Sequence, residues 1–85
     1  MNYRVDWTAE AESDLAALWN AASDRNAMTA ASAWLDARLM RDPLHFGEAW
    51  ASSVHRIAVR DPLGVEFEVI EDDNRGIVHN IFAIG

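Results

Sequence analysis

The sequence contains no cysteine, and this absence excludes disulfide bonds and thiol chemistry and disfavours a structural zinc site. It also has no apolar run approaching about 18 residues, so we expect no membrane-spanning helix. The N-terminus lacks the basic and then apolar segments of a secretory signal. These absences predict a cytoplasmic protein that makes no contact with the membrane.

Lysine is absent as well, so all seven basic residues are arginines, against fourteen aspartates and glutamates and a net charge of −7. Such an excess of carboxylates repels a phosphate backbone unless the arginines cluster on one face. We therefore expect no nucleic-acid ligand. By the same reasoning, a protein that binds this acidic surface should present a basic region.

The length of 85 residues allows a single domain, spanning 1–85. A chain of this size buries only about 60–65% of its unfolded surface. Without disulfides or a metal, its stability depends on packing or on a partner protein.

The N-terminal half predicts one strand followed by two helices. Residues 3–7 alternate between apolar and charged side chains, which is the period of a strand with one buried face. Thr8 is a suitable N-cap for a helix ending near Ala22, and Asp24 for a second helix that stops at Asp42-Pro43. The turn between them is so short that the helices should form an antiparallel hairpin. The apolar stripes of the two helices are Ala11, Leu15, Leu18, Trp19 and Ala22, then Met28, Ala31, Leu35 and Leu39.

The C-terminal half predicts three strands after a connector that covers residues 44–53. The strands span 54–60, 65–69 and 77–84, with a turn at 61–64 and a polar loop at 71–76. The last strand is apolar on both sides and should lie centrally in the sheet. The predicted class is α+β, with a helical hairpin packed on a small, mainly antiparallel twisted sheet, in the order β-α-α-β-β-β.

This order and several local patterns resemble the RelE/ParE superfamily of bacterial toxins. The opening Tyr-Arg-Val-Asp-Trp-Thr with Ala-Glu-Ala-Glu-Ser-Asp-Leu at 9–15 is similar to the family's first strand and helix start. Residues 42–47 resemble its helix exit and connector, and Val-Glu-Phe-Glu-Val at 65–69 resembles its V-x-Y-x-V strand. The resemblance covers nearly the whole chain. It implies the toxin of a type II toxin–antitoxin module, neutralised by a cognate antitoxin whose helix docks on an apolar surface.

The resemblance also indicates where catalytic residues would stand. Ribonuclease members place basic residues on the second and third strands and at the C-terminus, because cations stabilise a phosphorane while an acid and a base move protons. The catalytic candidates in this chain are Arg56, Arg60 and His79. The third-strand position falls at Gly64 or Val65, and the C-terminal residues have no counterpart.

These departures favour a non-enzymatic toxin that binds a protein target such as DNA gyrase, as in the ParE branch, over one that cleaves mRNA. Two alternatives share the fold: a non-catalytic interaction module that has lost toxicity, and a ribosome-dependent mRNA interferase. Arg56 and Arg60 also have a purely structural interpretation, as cross-strand partners of Glu66 or Glu68.

Neither a metal nor a cofactor is predicted. His45, His55 and His79 lack the spacing of metal ligands. The acidic run at 71–73 is typical of a solvated loop. The sequence has neither a glycine-rich phosphate loop nor a catalytic serine signature.

Four tryptophans are many for so small a domain. Trp7 and Trp19 lie on apolar stripes and are predicted to belong to the core. Trp34 lies beside its stripe and Trp50 lies in the connector. Because exposed tryptophans are enriched in the centres of protein interfaces, these two are the candidate partner-binding residues.

Overall fold

The computed structural model describes residues 2–84, which form two helices and five strands. In chain order these are β1 (Arg4–Trp7), α1 (Ala9–Ala21), α2 (Arg25–Arg41), β2 (Glu48–Ala49), β3 (His55–Arg60), β4 (Leu63–Ile70) and β5 (Arg75–Ala83). Short 3-10 turns cover Pro43–His45 and Glu71–Asp73. Within residues 2–84, no helix has both the length and the apolar character needed to cross a bilayer. The architecture is the predicted α+β class.

Both helices begin at the predicted caps. The side chain of Thr8 accepts a hydrogen bond from the backbone N–H of Ala11 at 3.0 Å, and that of Asp24 accepts one from Ala27 at 3.0 Å. Each cap satisfies an N–H group that the first helical turn leaves without a partner. Helix α2 ends one residue before Asp42, since the residue that precedes a proline avoids helical geometry.

The strand order in the sheet is β1-β5-β4-β3-β2. Strand β1 runs parallel to β5, and all other neighbouring strands are antiparallel. Strand β5 therefore lies inside the sheet, as its two-sided apolar pattern predicts.

Several predicted boundaries are wrong, including the start of the last strand at Arg75, and two of the errors have a clear physical cause. The connector contains the two-residue strand β2, which pairs with β3 at the sheet edge and is too short to leave a periodic pattern. Gly64 lies in strand β4 instead of a turn. The ring of Phe82 lies against Gly64 so closely that any Cβ there would overlap it, which explains a glycine inside this strand.

The helices cover one face of the sheet and form the core with it. Leu35 and Leu39 of α2 are fully buried, while Leu15 and Leu18 of α1 are partly buried against the core. The buried apolar residues of the sheet are Ala58, Leu63, Val65, Phe67, Val69, Val78 and Ile81.

The two tryptophans predicted for the core differ. Trp7 is partly buried and its indole N–H donates to Asp36 of α2 at 3.2 Å. Trp19 is 40% exposed, so the prediction that it belongs to the core is wrong. Its ring lies on the wall of an open groove between α1 and α2, its N–H donates to Thr29, and the Arg25 guanidinium covers it.

An ion pair joins the ends of strands β1 and β5. Arg75 donates to Asp6 at 2.6 Å, and Arg4 contacts the same carboxylate at 3.3 Å. The hydrogen bond from Arg75 lowers the pKa of Asp6 below its ordinary value of 3.8, against an opposing effect of desolvation. The charges of Arg4 and Arg75 lower it further.

Replacement of Leu35 by alanine should lower the free energy of unfolding by about 2–4 kcal/mol, because it leaves a cavity at a fully buried position. The matched control is Met40→Ala on the same helix, where the side chain is 42% exposed and the change should stay within about 0.5 kcal/mol. Urea denaturation followed by tryptophan fluorescence measures both. Equal midpoints for the two variants would contradict the placement of Leu35 in the core.

The Asp6 ion pair should make stability depend on pH. Since the folded-state pKa lies below the unfolded value, the pair stabilises the fold above that unfolded value and is lost as the pH falls through the folded pKa. The parent should therefore lose more thermal stability than Asp6→Asn between about pH 5 and pH 3. Asp72→Asn, in the exposed 71–73 turn, is the control and should follow the parent. Parallel pH curves for the parent and Asp6→Asn would contradict the assignment.

Candidate functional site

Arg56, the first catalytic candidate, ties the connector to strand β3. Its Nε donates to the carbonyl of Phe46 at 2.9 Å, and its Nη2 donates to that of Gly47 at 2.9 Å. Its Nη1 donates to the carbonyl of Ser53 at 3.1 Å. The guanidinium thus serves as a structural clamp, and three of its five N–H donors are engaged by backbone oxygens.

Gly47 makes this close approach possible. It has a φ of 70°, and a Cβ at this position would overlap the carbonyl oxygen of Ile57 on strand β3. Only glycine adopts this backbone conformation readily and also lacks the Cβ that would collide with the carbonyl oxygen. The connector is therefore drawn against the sheet at this residue.

The clamp places Phe46 between the sheet and helix α2. Its ring stacks on that of Phe67 with the centroids 6.0 Å apart, and it meets the ring of Trp34 edge-on at 5.7 Å. Phe46 is buried, whereas Trp34 is 36% exposed. These aromatic contacts connect the buried Phe67 of the core, through Phe46, to the exposed Trp34.

Two arginines cover the tryptophan at that surface. The guanidinium carbon of Arg60 lies 4.6 Å from the ring centroid of Trp34, and that of Arg38 lies 5.8 Å from it and 5.2 Å from the centroid of Phe46. These distances are those of cation–π contacts. We call Trp34, Arg38 and Arg60 the arginine–tryptophan patch.

The patch carries positive charge that no carboxylate of the described residues neutralises. Within residues 2–84, the arginine–carboxylate ion pairs are those of Arg4 and Arg75 with Asp6. The Nε of Arg38 is buried and has no hydrogen-bond partner there. Arginine keeps its charge even in such surroundings. Arg38 and Arg60 therefore place two positive charges beside one ring, and neither has an ion-pair partner among residues 2–84.

The cross-strand interpretation of Arg56 and Arg60 is wrong. Arg56 pairs with Phe67 and Arg60 with Leu63 in the register of β3 and β4, so both arginines lie on the helix-covered face. Glu66 and its neighbour Glu68 occupy alternate positions of β4 and lie on the other face. The arginines and the glutamates are on opposite sides of the sheet.

Trp50 directly follows β2, the strand at the edge of the sheet. It is 61% exposed, and its ring lines a groove of about 500 Å³ together with Phe46 and Val59, itself 55% exposed. Glu48 is the carboxylate among the lining residues. Trp34 thus contacts the buried Phe46 edge-on, Trp50 shares a groove with it, and both tryptophans present aromatic surface to solvent.

His79 lies on the face opposite to Arg56 and Arg60. It is the extra residue of an irregularity in the pairing of β4 with β5, and its Nε2 lies 2.9 Å from a carboxylate oxygen of Glu68. The second oxygen of Glu68 lies 3.9 Å from Nε2 of His55. The three catalytic candidates are thus not brought together, since the sheet separates His79 from both arginines.

The described residues offer no metal centre. Within 2–84, no three histidine, aspartate or glutamate side chains are placed to hold a metal ion. Glu68 contacts both His55 and His79, whereas the sequence pattern suggests it only as a cross-strand partner of Arg56 or Arg60. The cross-strand register alone could have identified this contact.

Sequence reasoning also missed Arg38 and Phe46. Arg38 lies four residues after Trp34 on helix α2, so the spacing could have indicated that they share a face. Phe46 lies in an irregular connector, where no periodic pattern predicts burial.

No protein-family model matches this sequence, and no curated protein matches it. A search of solved structures finds similarity to a chain in the crystal structure of the toxin–antitoxin complex RelBE2 from Mycobacterium tuberculosis. The TM-score is 0.80 at 18% sequence identity, and the match covers 98% of this chain and 99% of that chain. At this identity the likeness establishes the fold, which both chains share from end to end.

Arg56→Lys should lower the free energy of unfolding by about 1.5–3 kcal/mol, because one ammonium cannot replace a fork of donors that bonds three separate carbonyls. The control is Arg60→Lys, whose guanidinium contacts a ring, and it should cost at most about 1 kcal/mol. Amide hydrogen exchange at residues 46–50 should accelerate only in the Arg56 variant. Unchanged exchange in that segment would contradict the clamp.

Proposed function

We propose that this chain, which has the fold of RelE/ParE-type toxins, is the toxin of a type II toxin–antitoxin module and is held inactive by a cognate antitoxin. The support is the end-to-end structural match to a chain from a toxin–antitoxin complex. The match covers 98% of this chain and 99% of that chain, so the likeness applies to the whole sequence given.

We further propose that it acts by binding a protein target, for which DNA gyrase is the candidate, and not by cleaving mRNA. The observation that carries this proposal is the separation of Arg56 and Arg60 from His79 by the sheet. Cleavage of RNA by its 2′-hydroxyl needs cations and a proton-transfer group around one phosphate. Arg56 is also engaged by backbone carbonyls, which leaves it poorly available to a phosphate.

The position of the third-strand cation supports the same proposal. Gly64 has no side chain and Val65 is fully buried, so neither supplies a charge at the start of β4. These features equally favour the alternative of a non-catalytic interaction module that has lost toxicity. The two functions differ in whether the free protein arrests growth. A ribosome-dependent mRNA interferase is the third candidate.

The partner surface that we propose is the one around Trp34 and Trp50. Both rings are exposed beside the buried Phe46, and the groove of Trp50 and Val59 is apolar enough to hold a side chain of a docked helix. A second apolar groove, of about 550 Å³, lies between α1 and α2 and includes Trp7 and Trp19. It provides a comparison surface with the same kind of aromatic residue.

Induced expression of the chain should arrest bacterial growth, and co-expression of the product of the adjacent small reading frame should relieve the arrest. Purified protein incubated with ribosomes and a defined message should yield no specific cleavage products, because the required groups are on opposite faces of the sheet. Cleavage that disappears in Arg56→Ala would instead establish the interferase function. Normal growth together with partner binding would favour the interaction module.

The partner surface is tested in the same system. Trp34→Ala and Trp50→Ala should weaken binding of the adjacent gene product, each by about tenfold or more if the ring is a central contact. Trp19→Ala is the matched control, since Trp19 is as exposed as Trp34 but lies on the other groove. Loss of binding in Trp19→Ala alone would move the interface to the groove between the helices.

A further inference from the structure

The arginine–tryptophan patch differs in charge from the rest of the molecule. The chain has fourteen carboxylates and a net charge of −7, yet Arg38 and Arg60 have no carboxylate partner among residues 2–84. Net charge alone predicts a basic partner region for this protein. The two arginines at Trp34 instead predict an acidic partner region.

A cation–π contact positions an arginine without neutralising it. The guanidinium of Arg60 lies over the ring of Trp34, and that of Arg38 lies over the rings of Trp34 and Phe46. Such a contact does not occupy the N–H donors as a carboxylate would. The guanidinium of Arg60 keeps a planar set of donors that matches the two oxygens of a carboxylate, and Arg38, whose Nε is buried, keeps the donors of its terminal nitrogens.

The patch is supported by a series of side-chain contacts that reach the core. Phe46 supports Trp34 edge-on, Phe67 supports Phe46 by stacking, and the three carbonyl bonds of Arg56 fix the connector that carries Phe46. A surface whose side chains are already ordered loses less entropy when a ligand binds. Exposed rings and unneutralised arginines on such a support have the composition of an interface centre.

We propose that the surface of Trp34, Arg38 and Arg60 binds an acidic segment of the partner protein, with Asp or Glu carboxylates on the two guanidinium groups. The apolar residues of that segment contact the groove at the sheet edge that Phe46 and Trp50 line. Because Glu48 lines this groove, the carboxylates of the segment belong on the side of Trp34. The inference rests on the proposed function, which supplies the partner.

A polynucleotide fits the patch less well than an acidic peptide. A phosphate backbone carries charge continuously and would extend from two arginines onto a surface rich in carboxylates. An acidic peptide can confine its carboxylates to the patch. Nucleic acid is therefore an outcome of the test and not the proposed ligand.

The direct test measures binding of three labelled probes to the purified full chain by fluorescence anisotropy. They are a peptide in which Glu and Asp alternate with Leu, the same peptide with Gln and Asn in place of the acids, and a single-stranded oligouridylate. The acidic peptide should bind, and Arg60→Glu should weaken it by about tenfold or more through loss and reversal of one charge. The amide peptide should bind the parent about as weakly as the acidic peptide binds Arg60→Glu.

The chain offers a closely matched control. Arg25 covers Trp19 at 4.7 Å, nearly the distance of Arg60 from Trp34, but at the turn between the helices. Arg25→Glu makes the same charge change and should leave binding of the acidic peptide nearly unchanged. An equal loss of affinity for the acidic peptide in both variants would show that binding depends on net charge alone, and it would overturn the proposal. Tighter binding of oligouridylate that Arg60→Glu abolishes would also overturn it, in favour of a nucleic-acid site.

A second measurement separates this inference from the proposed function. The adjacent gene product should bind Arg60→Glu about tenfold more weakly than it binds Arg25→Glu, and added salt should reduce that difference. Equal binding to both variants would refute the patch and leave the toxin–antitoxin function intact. Absence of any partner and of growth arrest would refute the proposed function, while the peptide measurements would still decide whether the patch binds carboxylates.

Discussion

The hydrogen bonds of Arg56 to three backbone carbonyls are the interaction on which the functional surface depends. They close the irregular connector onto strand β3 and leave Phe46 between the sheet and helix α2. Without this clamp, the exposed ring of Trp34 would lose the aromatic support beneath it. A residue that the family resemblance suggests for catalysis thus contributes by organising the surface. Its guanidinium satisfies backbone oxygens that an irregular segment could not pair within itself.

Six of the seven arginines of this acidic chain make side-chain contacts of distinct kinds. Arg4 and Arg75 contact a carboxylate, Arg56 contacts carbonyls, Arg25 contacts carbonyls and a ring, and Arg38 and Arg60 contact aromatic rings. Only the last kind of contact leaves both the charge and the donors available to another molecule. The net charge of −7 therefore describes the average surface and not the region around Trp34. Recognition depends on the local potential, which the fold determines by bringing Arg38 and Arg60 to one ring.

The sequence predicts the fold well because local signals and hydrophobic periodicity agree along most of the chain. The caps at Thr8 and Asp24 and the buried stripe of Leu35 and Leu39 are confirmed. The errors arise where no periodic signal exists or where tertiary context overrides it. Gly64 resembles a turn residue but lies in a strand, against the ring of Phe82. Trp19 continues the apolar stripe of α1 but lines the open groove between α1 and α2. Strand β2 is too short to have a period.

The candidate site was less predictable than the fold, because it depends on which face of the sheet each residue occupies. Alternation along β3 places Arg56 and Arg60 together, but the sequence does not say whether that face is covered by the helices. The register with Phe67 and Leu63 decides this, and the same register places Glu68 with His79 on the other side. A shared fold therefore does not carry a shared reaction when the chemical groups are distributed over two faces. What remains on the helix-side edge is a pair of arginines on an exposed aromatic ring, an arrangement suited to recognition of another protein.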